Sequence, residues 1–127
     1  MKRALVLICL ASALLGACSA AHSSYAAKGT VTGRLVIDGG PSGVPPNRPV
    51  QGVVRFIGGH QPPVTVSTNA AGVFWVQLPP GRYDVSDRSP HILEESGGTS
   101  RQEWSASVPV TITEHHTTAI TLTWFVP

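Results

Sequence analysis

At 127 residues with a formal charge of +2, the chain has room for one small domain built on one core. Charged residues make up 13% and aromatics 6%, while 13 glycines and 11 prolines punctuate short runs of Val, Thr, Ile and Leu, which is the composition of a sheet protein. The charge includes Lys2 and Arg3, without which the remainder is neutral; with no basic stripe and no Arg or Lys clustered among aromatics, no nucleic-acid partner is expected.

The first residues read as an address. Met1-Lys2-Arg3 is basic, residues 4–15 are apolar, and Gly16-Ala17 supplies small residues before Cys18, the layout of an export signal. The run is shorter than the roughly 20 apolar residues a membrane span needs, and polar residues 19–24 follow it. Leu15-Gly16-Ala17-Cys18 resembles the lipobox of bacterial lipoproteins, which implies cleavage before Cys18 and lipidation of its thiol. Cys9, the other cysteine, lies inside the apolar run, so no disulfide is expected in the body. Two or three acyl chains, at about 0.8 kcal/mol per buried CH₂, would hold the chain stably where one would be reversible. Residues 19–28 are rich in Ala and Ser and read as a tether, about 33–36 Å long when extended. The expected organisation is a signal peptide over 1–17, a lipidated tether over 18–28 and a β-sandwich domain over 29–127.

Within the body, period-two alternation marks the strands. Residues 30–37 place Val31, Leu35 and Ile37 inward with Gly33, and Thr32, Arg34 and Val36 outward. The density of glycine and proline in 38–49 predicts a long surface loop. Strands are predicted over 50–57, with Val54 and Phe56 inward and Arg55 outward, and over 64–67. Asn69-Ala70-Ala71-Gly72 is turn chemistry leading into 73–78, where Phe74, Val76 and Leu78 point inward. Pro79-Pro80-Gly81 ends that ladder, and Tyr83 and Val85 resume the inward face. Residues 87–104 read as a second long loop, and no segment shows a helical period. Val108, Val110 and Ile112 alternate around Pro109, which assigns that strand to a sheet edge or start. Residues 117–125 close the domain with Ile120, Leu122 and Trp124 on one face.

Seven short strands separated by turns predict an all-β, Greek-key sandwich. Gly29-Thr30-Val31-Thr32-Gly33, Gln51-Gly52-Val53-Val54, residues 68–74 (TNAAGVF) and Leu78-Pro79-Pro80-Gly81-Arg82-Tyr83-Asp84-Val85 together resemble the carboxypeptidase regulatory-like domain of the transthyretin (prealbumin-like) group. These motifs are turns and core positions, so the resemblance implies a fold and an accessory role. Hydroxyisourate hydrolases of that group carry a closing Tyr-Arg-Gly-Ser where this sequence has Trp124-Phe125-Val126-Pro127, and the group's isopeptide cross-links need a lysine paired with an Asn on the last strand, whereas the body offers only Lys28 and no such Asn.

The remaining constellations are weak. His60, His91, His115 and His116 lack metal-ligand spacing, and no metal or cofactor is expected. Glu114-His115-His116 reads as a polar hairpin. Asp84, Asp87, Glu94 and Glu95 match no calcium loop, and Ser96-Gly97-Gly98 no nucleophile elbow. Trp75, Trp104 and Trp124 suit a sugar or peptide platform, though Trp124 is expected in the core and Trp75 under a loop. A hydrolase would require two histidines converging with Arg34, Arg55 or Arg82. The expectation is therefore a non-catalytic, lipid-anchored module facing outward from a bacterial envelope, with Cys18 as its functional residue and an envelope glycan or protein as possible partner, bound through the 38–49 and 87–104 loops.

Overall fold

The structure is a computed structural model and describes residues 27–95 and 103–127. Its strands follow the alternation of the sequence. In β1 (Gly29–Gly39) Val31, Leu35 and Ile37 are at most 2% exposed, in β3 (Val53–Gly58) Val54 and Phe56 are inward, and in β6 (Gly81–Arg88) Tyr83 and Val85 are fully buried. Each such side chain contributes about 1.5–3 kcal/mol of transfer free energy.

Two sheets enclose this core. In the first, β1 is central: β8 (Thr117–Val126) runs parallel to it along one edge, from Thr30 opposite Thr117 to Gly39 opposite Val126. The other edge of β1 takes β5 (Val73–Leu78) against residues 29–34 and the two-residue β2 (Arg48–Pro49) against Val36 and Ile37, both antiparallel. The second sheet is antiparallel throughout, in the order β4 (Gln61–Ser67), β3, β6, β7 (Val108–Ile112). Leu35, Phe74, Leu78 and Leu122 from the first sheet meet Val54, Phe56, Tyr83 and Ile112 from the second in one cluster. Phe56 packs edge-on against both Phe74 (6.2 Å between centroids) and Tyr83 (6.5 Å), so an aromatic row crosses the layers. This is an all-β sandwich, as the composition and alternation require.

Several local features depart from the sequence reading. Val36, expected outward, is 3% exposed, at the register where β2 joins β1. Gly33, inward as expected, leaves room for the ring of Phe74 directly opposite in register; a Cβ there would lie 2.2 Å from that ring. β4 begins at Gln61 and includes Pro62 and Pro63, which an edge strand tolerates because its outer amides need no partner. The expected strand at 50–57 starts only at Val53, because Val50 and Gly52 instead bond to Leu35 and Thr68. The 38–49 loop yields the short β2, and the 87–104 segment holds the last residues of β6, Asp87 and Arg88, and a helix, α1 (Pro90–Glu95). α1 has its own start signal: Ser89 Oγ accepts from the His91 N–H at 3.2 Å and Pro90 occupies the first helical position. Ile92, 5% exposed, anchors it to the core.

The connections sort to two poles. At one, where the chain enters at Lys28, lie the Pro79-Pro80 corner, the Gly59-His60 turn and the turn after Ile112, whose His115 N–H donates to the Lys28 carbonyl at 3.3 Å. That last turn carries the chain from one sheet to the other, so the expected hairpin at Glu114-His115-His116 does not form. At the opposite pole lie residues 40–47, α1 and the chain leading into β7.

Candidate functional site

Cys18 lies outside the described residues, as do Ser96, Gly97 and Gly98. Among the described residues no helix is long and apolar enough to cross a membrane. What the structure does place, at the pole away from Lys28, are the described parts of the two long loops. They meet in a cleft of about 350 Å³ lined by Arg48 and Pro49 from the first, His91 from α1, and Ile37, Val50, Gln51 and Ala70. Arg48 Nη1 donates to the Gly39 and Pro45 carbonyls at 3.1 and 3.2 Å, which folds the first loop back on β1. Ser89 Oγ donates to the Gln51 carbonyl at 2.5 Å, so α1 and residue 51 are held together. An arginine, an imidazole and a carboxamide at the rim of a partly apolar cleft suit hydrogen bonding to a polar ligand.

Beside this pole the two sheets are tied by a buried carboxylate. Asp87 is 3% exposed and follows Tyr83 and Val85 on the inward face of β6. Ser105 Oγ donates to Oδ1 at 2.6 Å and the Trp124 indole N–H, from the opposite sheet, donates to Oδ2. The backbone repeats the link: the Asp87 N–H donates to Ser105 Oγ at 3.0 Å, and the Ser105 N–H to the Asp87 carbonyl at 2.8 Å. Burial pushes the Asp87 carboxyl above its ordinary range, and the Ser105 and Trp124 hydrogen bonds offset part of that rise. A side cleft of about 340 Å³ opens here between Ser105, Val108 and β8. Grouping Asp87 with Asp84 as a loop acid missed this, although counting by two from Tyr83 places it inward.

On the outer face of the second sheet, two guanidinium groups pack against Trp104, with Arg55 Cζ 4.0 Å and Arg88 Cζ 4.6 Å from its ring centroids. Arg55 Nη2 also donates to Ser86 Oγ at 3.5 Å, while its Nε is buried without a partner. Ser86 is 4% exposed. Trp75, expected under a loop, is instead 57% exposed on the outer face of the first sheet. Trp124 is half-buried against the core.

The described histidines separate by pole: His60, His115 and His116 lie in turns at the Lys28 end, and His91 lies on α1 at the other. His115 pairs with its neighbour Glu114 at 3.5 Å, and His116 Nδ1 lies 2.7 Å from the Glu114 carbonyl. Asp84 is exposed on β6. Among the described residues no three His, Cys, Asp or Glu side chains group as metal ligands. No protein-family model matches the chain, and no curated protein matches it.

Proposed function

We propose that this chain is a lipoprotein of a bacterial envelope, cleaved before Cys18 and held to a membrane by acyl chains on that residue, whose sandwich acts as a structural or binding module without catalysis of its own. The observation that carries the reading is the order of the sequence: a basic start, an apolar run, Leu15-Gly16-Ala17-Cys18, and a tether of small and polar residues before β1 at Gly29. The finer architecture belongs to the same proposal. A Greek-key, prealbumin-like sandwich is supported by the first and last strands lying side by side and parallel while the chain between them crosses from sheet to sheet.

The test is Cys18→Ser. The variant is expected to leave the membrane fraction or to accumulate uncleaved, and to take up no labelled palmitate. Unchanged fractionation and unchanged size would refute the anchor.

A second reading, binding of an envelope glycan or peptide, is favoured by one feature: both long loops border the cleft of Arg48 and His91, at the pole facing away from the tether. A screen of the purified chain against envelope glycans and peptides, repeated with Arg48→Ala, tests it; a ligand whose binding is indifferent to Arg48→Ala would place the site elsewhere.

A further inference from the structure

A sheet with one solvated face is expected to carry polar side chains there, and β5 departs from that rule. Its outward positions are Val73, Trp75 and Gln77, with Val73 38% and Trp75 57% exposed. Trp75 lies outside the core cluster. Among the described residues neither a ring nor a guanidinium packs against its indole, and the indole N–H has no acceptor. A tryptophan so placed adds nothing to the fold that a threonine would not, while its apolar surface stays in water.

Register fixes what surrounds the indole on this face. Trp75 stands opposite Thr32 on β1, and Thr32 opposite Ala119 on β8; the next row outward is Val73, Arg34 and Thr121. The small Thr32 and Ala119 beside a large ring leave a cleft of about 320 Å³ along the sheet, lined by both rows through Thr32, Arg34, Val73, Ala119 and Thr121. Arg34 is the only charged residue lining it, and it is exposed. Among the described residues its guanidinium makes no hydrogen bond or ion pair, so its planar set of donors is open to a ligand. Arg34 and Trp75 are diagonal neighbours on paired strands, roughly 7–8 Å apart at the backbone, a span that one sugar ring and its exocyclic group can bridge.

We infer that this face binds an acidic glycan, with a pyranose ring lying on the Trp75 indole and the carboxylate of a uronic acid held by Arg34. The C–H face of a pyranose is apolar and flat, and an indole covers it at little entropic cost. The ring's hydroxyls then meet the hydroxyls of Thr32 and Thr121 in the cleft. Charge selects the occupant. One unpaired guanidinium asks for one carboxylate, which a neutral glycan lacks. A lipid surface is recognised by clusters of cations, and a protein partner by a buried area of roughly 1,200–2,000 Å², neither of which a small cleft with a single arginine matches. The site shares no lining residue with the Arg48 and His91 cleft and does not depend on the lipid anchor.

The test is a titration of the full chain, purified in detergent, with uronic-acid oligosaccharides from alginate and pectate, each beside its methyl ester. The ester keeps the ring and removes the charge. In nitrogen-15 spectra the Trp75 indole N–H, identified by its loss in Trp75→Phe, is expected to shift with the acids. By calorimetry, affinity for the acids is expected to fall at least about tenfold in Trp75→Ala, in Arg34→Gln and on esterification, and to be unchanged in Arg48→Ala. Both substituted side chains are exposed, so circular dichroism should match the wild type. No shift at millimolar oligosaccharide, or equal affinity for acid and ester, would overturn the proposal. So would binding that Trp75→Ala and Arg34→Gln leave intact, or that only Arg48→Ala removes, and so would a Trp75 signal that moves on dilution alone, the mark of a second copy on this face.

Discussion

Asp87 is the residue whose setting most constrains the molecule. Its carboxylate joins the Ser105 hydroxyl to the Trp124 indole, and Asp87→Ala removes the acceptor both half-buried donors share, at a cost of about 1–3 kcal/mol in urea denaturation. Asp87→Asn keeps an acceptor and removes the buried charge. Because burial raises this group above its ordinary 3.8, the folded protein holds the proton more tightly than the unfolded chain does. The stability this group contributes is therefore greatest below 3.8 and is lost as pH rises through the raised value. Unfolding free energy, wild type minus Asp87→Asn, should fall as pH rises from 3.8 upward; a difference that is flat or rises would contradict the burial argument. Gly81, at φ +151 with the Gly59 Cα 3.2 Å from where a Cβ would sit, predicts that Gly81→Val lowers stability by about 1–3 kcal/mol, and an unchanged thermal midpoint would refute it. Tyr83, whose hydroxyl donates to the Pro79 carbonyl at 2.7 Å and accepts from Gln61 Nε2 at 3.2 Å, locks the same corner from the inside.

At the scale of elements, the start of the small helix is capped by one hydroxyl. Ser89 Oγ caps α1 and also donates to the Gln51 carbonyl, so Ser89→Ala should cost about 1–2 kcal/mol and raise hydrogen exchange at His91 and Ile92 ahead of the strands. Exchange that rises uniformly would mean the cap supports the whole sandwich and not α1. The strands were legible because each carries an apolar face at period two: Phe74 and Leu78, Tyr83 and Val85, Leu122 beside exposed Thr121 and Thr123. The helix was not, because six residues are too few to show a period of 3.6; only Ser89-Pro90 announced it. The start of β4 was hidden by Pro62 and Pro63, which read as a break until the strand is known to lie at an edge. Trp104 was recognisable as an aromatic in a loop, but its contact with Arg55 and Arg88 joins residues from three separate segments, which no local pattern links.

The described body is a polar object in the geometric sense, with Lys28 on one pole and residues 40–47 and α1 on the other. If Cys18 is anchored, a tether of about 33–36 Å at full stretch holds the Lys28 pole toward the lipid and leaves the Arg48 and His91 cleft pointing away. The account rests on the lipid. Intact-mass analysis of the chain recovered from membranes measures it most directly: a mature species beginning at Cys18 and carrying a diacylglyceryl group, with or without a further acyl chain, is the expected result, and a chain that begins elsewhere or carries an unmodified Cys18 thiol would contradict it.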